Sequence, residues 1–180
     1  MPVQVAVWVA IGALAAIVLW RLASQWIKYR GDRLITCPEN QHPAGVRVAA
    51  GHAAATALGR RPELRLSSCS RWPEKAGCGQ ECLKQIEASP EDCLVRNILT
   101  QWYAGKVCAV CGRPIGEIHV AGSQPALRGP DQKTVEWKQV SADKLVDVLA
   151  ASDPVCFACH MANLLVREHP DLVVDRARKI

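Results

Sequence analysis

Nine cysteines are the residues through which this 180-residue chain could do chemistry. The sharpest spacing joins Cys108-Ala-Val-Cys111-Gly112 to Cys156-Phe-Ala-Cys159, two C-x2-C pairs separated by 44 residues. Two residues between cysteines let both sulfurs of a tight turn reach one tetrahedral ion at metal–sulfur distances of ~2.3 Å. Gly112 frees the backbone to fold beneath the metal, where amide groups can point at sulfur. In a reducing compartment disulfides do not persist, so clustered cysteines read as metal ligands. The expected chemistry is therefore metal binding at Cys108, Cys111, Cys156 and Cys159. No catalytic residue is assigned. The chain has no phosphate loop, no G-x-S-x-G elbow and no H-E-x-x-H motif. Glu91-Asp92 reads as a helix-start charge pair, not a catalytic dyad.

A second group is Cys69-x8-Cys78-x3-Cys82-x10-Cys93, with Cys37 upstream. Gly77 and Gly79 flank Cys78. Four thiolates within 25 residues can close one site, for which Cys37 or His42 could replace a member. Zinc and an iron–sulfur cluster both accept four thiolates, so both stay open. So does the reading in which several of these are buried free cysteines acting as small hydrophobes.

Two rivals use the first cysteines differently. Cys156-Phe-Ala-Cys159-His160 is a literal CxxCH, the attachment signature of c-type haem, with His160 on the iron. Its second axial ligand would come from Met161, His119 or His169, and Cys108 and Cys111 would be left without a role. A thiol–disulfide oxidoreductase would want a low-pKa thiol at a helix start in a βαβ pattern, which this sequence does not display.

Residues 106–168 resemble a zinc knuckle of the zinc-ribbon and treble-clef kind, the motif being carried by Cys108-Ala-Val-Cys111-Gly112 and Cys156-Phe-Ala-Cys159. The resemblance covers this segment only. It implies a structural four-cysteine zinc site whose second pair opens a helix, here His160–Glu168. The long spacer leaves room for a hairpin and a further helix.

Those elements can be read from local pattern. Ser141 caps a helix to about Ala151, with Leu145, Val148 and Leu149 inward, and residues 115–120 and 134–140 alternate like strands around the Gly-Pro-Asp turn at 129–131. His119 falls in the first of them as a half-buried histidine. Ser89, Pro90, Glu91 and Asp92 open a helix over residues 90–104, stopped by Gly105. Residues 37–88 are punctuated by prolines and glycines, with short strands at Val46–Val48 and Leu64–Leu66 and a helix over 49–58. No internal repeat is visible beyond the cysteine pairs.

The N-terminus is of another kind. Residues 1–20 carry no charge, and Val3–Trp20 alone gives ~27 Å of helix, close to the hydrocarbon thickness of a bilayer. Trp20, Trp26 and Tyr29 follow, then Arg21, Lys28, Arg30 and Arg33, where interfacial rings and bases belong. A signal peptide would carry its bases before the apolar run. The charge bias puts the N-terminus outside and the rest in the cytoplasm of a bacterial-type inner membrane.

Lys+Arg number 22 and Asp+Glu 17, a net charge of +5. The excess sits at the ends, because residues 37–175 hold 15 bases against 16 acids. A neutral body is a poor duplex-binding surface, so no nucleic-acid partner is expected. Hydrophobic content of 49% with 22% charged residues excludes wholesale disorder.

The expected fold class is α+β, a single N-terminal transmembrane helix plus a small cysteine-rich, metal-stabilised domain. The expected organisation is an anchor (1–27), a basic juxtamembrane linker (28–36), a cysteine-rich irregular segment (37–105), a zinc-knuckle-like α+β part (106–175) and a basic tail (176–180). The expected function is that of a membrane-anchored accessory subunit whose zinc site supports docking to a larger membrane complex. The alternatives are an electron-transfer subunit with iron–sulfur or haem c, and a thiol-redox enzyme.

Overall fold

The apolar run forms α1, Pro2–Tyr29, in a computed structural model that describes residues 2–59, 61–75, 77–116, 118 and 124–172. Within Val3–Tyr29 an 18-residue window has a mean hydropathy of 2.3 and none of it is buried, so the helix is long and apolar enough to cross a membrane. Twenty-eight residues at ~1.5 Å each exceed the ~30 Å of a hydrocarbon core. The surplus lies at the C-terminal end, where Tyr29 is buried and Arg30 stacks over the Trp26 ring at 5.0 Å. Gly31 ends the helix with φ +103°, a conformation open to glycine at little cost, and a Cβ there would stand 3.1 Å from Leu94 Cδ1.

The chain divides into two compact units, Met1–Asn97 and Ile98–Ile180. In the first, β1 (Asp32–Thr36), β2 (Pro43–Val48) and β3 (Leu66–Cys69) make an antiparallel sheet in the order β1-β2-β3. Alternation decides its faces: Ile35, Ala44, Val46 and Val48 point into a core with Leu66, Ile86 and the small residues of α2, Ala50–Thr56. The end of α1 packs on α2, and Tyr29 joins this core. Residues 32–36, expected as basic linker, are thus strand β1, and Arg33 is a fully buried core residue.

The helix expected over 90–104 begins later. α3 spans Leu83–Ala88 with Ser89 as its C-cap, and α4 spans Val95–Tyr103. Tertiary bonds take the groups that an earlier first turn would need. The Leu34 amide donates to Cys93 O at 2.8 Å, Arg33 to Pro90 O, and Asn97 Nδ2 to Glu91 O at 3.0 Å. The cap chemistry of Ser89 is outweighed by the pull of β1 on residues 90–94.

In the second unit β4 (Ala126–Arg128) pairs antiparallel with β5 (Thr134–Glu136) and with β6 (Asp153–Val155), in the order β5-β4-β6. The turn expected at 129–131 is present, closed by Gly129 N to Lys133 O at 3.0 Å, but the strand entering it is 126–128. Residues 115, 116 and 118 are not in a strand, and His119 lies outside the described residues, as does the 176–179 tail. Ser141 leads through a 3-10 turn into α5, Leu145–Ala150, with Leu145 and Leu149 buried. Finally α6 spans Phe157–Glu168. The architecture is α+β, with one long apolar helix and a cysteine cluster able to hold a metal.

Candidate metal centre

The first half of the site is a tight hairpin. Val107 and Pro114 pair as an isolated bridge, Cys108 N donates to Arg113 O at 2.8 Å, and Gly112 N donates to Cys108 O at 2.8 Å. Gly112 sits at φ +70°, which lets the chain turn beneath Cys108 and aims the amides of Val110 and Cys111 at its sulfur. The second half is the start of α6. Cys156 is its N-cap in extended conformation, its carbonyl accepting from His160 N at 3.0 Å, and Cys159 lies in the first turn. The two halves are tied by Ala109 N to Pro154 O at 2.9 Å and by Cys156 N to Cys108 Sγ at 3.3 Å.

As a result the sulfurs of Cys108, Cys111, Cys156 and Cys159 all lie within 4.8 Å of one another, and Cys111 Sγ is 3.8 Å from Cys156 Sγ. Four sulfurs ~2.3 Å from one tetrahedral ion stand ~3.8 Å apart, so the donor set fits a thiophilic metal ion. Cys108 is buried, the two on α6 are half-buried and Cys111 is exposed.

The electrostatics are graded. Burial pushes the Cys108 thiol up, but N–H donation from Cys156, Cys111 and Val110 outweighs it and brings the thiol down to about 6. Cys159 is pushed up to about 12, by burial first and then by the neighbouring sulfurs of Cys156, Cys111 and Cys108. One sulfur is ready as thiolate, while another keeps its proton until a cation arrives. The N-terminus of α6 adds a positive dipole beside both of its cysteines. No family model, curated protein or solved structure matches this chain.

The histidine of the CxxCH segment is turned elsewhere. His160 is 2% exposed, its Nδ1 lies 2.8 Å from Thr134 Oγ1, and Thr134 in turn reaches Asn163 Oδ1 at 3.0 Å. Its Nε2 lies 3.9 Å from Glu136 Oε1 and has no hydrogen-bond partner. His160 is thus a core histidine pinning α6 to β5, and it is not one of the four clustered ligands.

The second cysteine group divides. Cys37, Cys69, Cys78 and Cys82 line one cavity of about 190 Å³ in the first unit. Cys93 leaves the group, its Sγ lying 3.3 Å from Ser89 O and 3.6 Å from Pro90 O, under the Arg33 guanidinium. His42 is exposed, and His52 faces Glu63 at 3.8 Å. Sequence reasoning missed Thr134 and Asn163, which no motif marks, and Arg71, whose Nη1 lies 2.9 Å from Cys37 Sγ.

Proposed function

We propose that this chain is a membrane-anchored metal-binding accessory protein in which structural zinc at Cys108, Cys111, Cys156 and Cys159 holds a surface for docking to a larger membrane complex. The observation that carries this reading is the convergence of four sulfurs within 4.8 Å from two segments far apart in the chain. A closed set of four thiolates leaves no open coordination position for a substrate, which is the mark of structural sites.

Docking is supported by apolar groups the fold leaves in solvent. On α6, Phe157, Met161 and Leu165 recur every four residues and are 39%, 44% and 48% exposed. Val107 and Val110 on the hairpin are also exposed. An apolar face rimmed by polar groups marks an interaction surface. The haem reading loses support because the Cys156 and Cys159 sulfurs gather with Cys108 and Cys111 while His160 is bonded to Thr134.

The test is metal analysis with an optical spectrum on the full chain purified from its native membrane. Zinc at this centre is expected, lost in Cys108→Ser and Cys156→Ser. A sharp, intense haem band lost on Cys156→Ser would replace this reading with electron transfer. For the docking surface, Phe157→Ser/Met161→Ser/Leu165→Ser should keep the metal and shift the chain to a smaller species on a native gel.

A further inference from the structure

The turn at Cys37 repeats the backbone of the Cys108 hairpin, position for position. Cys37 N donates to His42 O at 2.9 Å, as Cys108 N does to Arg113 O, five residues on in each case. Gln41 N donates to Cys37 O at 2.9 Å, as Gly112 N does to Cys108 O. Gln41 has φ +57° and Gly112 φ +70°. Thr36 pairs with Pro43 as Val107 pairs with Pro114. In both turns the amides two and three residues on point at the sulfur: Glu39 and Asn40 at Cys37, Val110 and Cys111 at Cys108. Asn40 stands where Cys111 stands.

Gln41 thus keeps the left-handed conformation that glycine takes at the matching position of the metal hairpin, although Gln80 and Gln132 are left-handed as well. Among the described residues the sulfurs around Cys37 do not converge as those around Cys108 do, but they open into one cavity with room for an ion. Cys69 at the end of β3, Cys78 in the following loop and Cys82 share with Cys37 a cavity of about 190 Å³, where one water needs only ~10–15 Å³. Trp72 lines the same cavity, and its buried indole N–H has no acceptor. Arg71, also in the wall, lies 2.9 Å from Cys37 Sγ, ready to offset negative charge.

We propose that Cys37, Cys69, Cys78 and Cys82 form a second tetrathiolate metal centre, built on a knuckle with a single cysteine and excluding Cys93. Its occupant is a thiophilic metal, as one zinc ion or as an iron–sulfur cluster, the two groups that four thiolates hold. This centre lies in the other unit from the Cys108 centre, so each can fail without the other.

The test is metal and acid-labile sulfide content of the full chain, purified anaerobically from its native membrane, in four forms. The unaltered chain should carry two zinc per chain, or one zinc with iron, sulfide and broad visible absorption. These two results identify the occupant, and each supports the site. Cys37→Ser and Cys78→Ser, both at half-buried positions, should each remove the second complement and leave the Cys108 zinc. Cys93→Ser should keep both. Retention of full metal in Cys37→Ser and Cys78→Ser would overturn the proposal, and so would a loss in Cys93→Ser as complete as in Cys37→Ser.

Discussion

The Nη2 of Arg33 donates to the backbone carbonyl of Lys28 at 2.6 Å, and so fastens the last turn of α1 to the first strand of the adjoining sheet. The same guanidinium reaches Pro90 O through Nη1, and its side chain is wholly buried. A planar fork suits two carbonyls in different directions, which a single ammonium cannot serve at once. Arg33→Met keeps the bulk but leaves both acceptors unpaired, at an expected cost of about 3 kcal/mol. Arg33→Lys should fall between. Thermal melting of the detergent-solubilised chain measures both, and equal melting of Arg33→Met and wild type would show that the guanidinium holds nothing together.

Gly112 makes a separate point about the metal hairpin. No atom stands within 4 Å of the place its Cβ would take, so Gly112→Ala meets no clash and feels only the left-handed backbone. That costs an L-residue about 1 kcal/mol, or roughly a fivefold loss of metal affinity if the hairpin must hold this shape to bind. Gly112→Asn, which tolerates the conformation better, should lose less. Competition with a chromophoric chelator gives the ratios, and an unchanged affinity in the alanine variant would mean that the metal does not need the turn.

The two displaced thiols give the metal-free chain a pH signature. Cys108 falls from an ordinary value near 9 to about 6, so its stabilisation is complete above pH 9 and vanishes as pH falls through 6. Cys159 rises to about 12, so its stabilisation is complete below pH 9 and vanishes as pH climbs through 12. Together they predict that the chelator-treated, reduced chain melts highest near pH 9 and lower on either side. Because Cys108 is already ionised at pH 8, metal uptake at its centre, measured in the Cys37→Ser chain that is expected to lack the second centre, should release fewer than four protons. Proton release by calorimetry in buffers of different ionisation enthalpy checks this, and a count of four would contradict it.

Thr134 tests whether His160 is structural. Its hydroxyl lies between His160 Nδ1 and Asn163 Oδ1, all within the packing of α6 on β5. Thr134→Val leaves His160 Nδ1 without its bond in a buried place and Asn163 without its bond in a half-buried one, which costs about 1–3 kcal/mol. The melting temperature should drop while the metal content stays at the wild-type ratio. A loss of metal as large as in Cys108→Ser would mean that His160 takes part in the centre after all.

What the sequence disclosed follows from how local each determinant is. The long apolar helix containing Val3–Trp20, the turn at 129–131 and the grouping of Cys108, Cys111, Cys156 and Cys159 rest on local runs and spacings, and the structure contains all three. In the sequence Arg33 looks like one more interfacial base, because nothing in its neighbours announces that the carbonyl of Pro90, 57 residues away, accepts its hydrogen bond. The helix start at Ser89 failed for the same reason. The Cys37 turn was legible in principle, since a cysteine followed six residues later by proline occurs both at Cys37-Pro43 and at Cys108-Pro114. The eye is drawn to paired cysteines, and Asn40 removes the pair.

Arg33's burial also sharpens the question of topology. With that residue inside the fold, the flank behind the apolar run keeps Arg21, Lys28 and Arg30, all exposed. If these three bases set the orientation, the C-terminal flank stays on the cytoplasmic side. A phosphatase that works only outside the cytoplasm, fused after the last residue, should therefore be inactive, whereas a fluorescent protein that matures only inside should glow. Replacing Arg21, Lys28 and Arg30 by glutamine and adding three lysines ahead of Pro2 should invert both signals. Phosphatase activity in the unaltered fusion would place the cysteines in an oxidising compartment. Thiolate metal centres would then give way to disulfides, or to thioether-bound haem at Cys156 and Cys159.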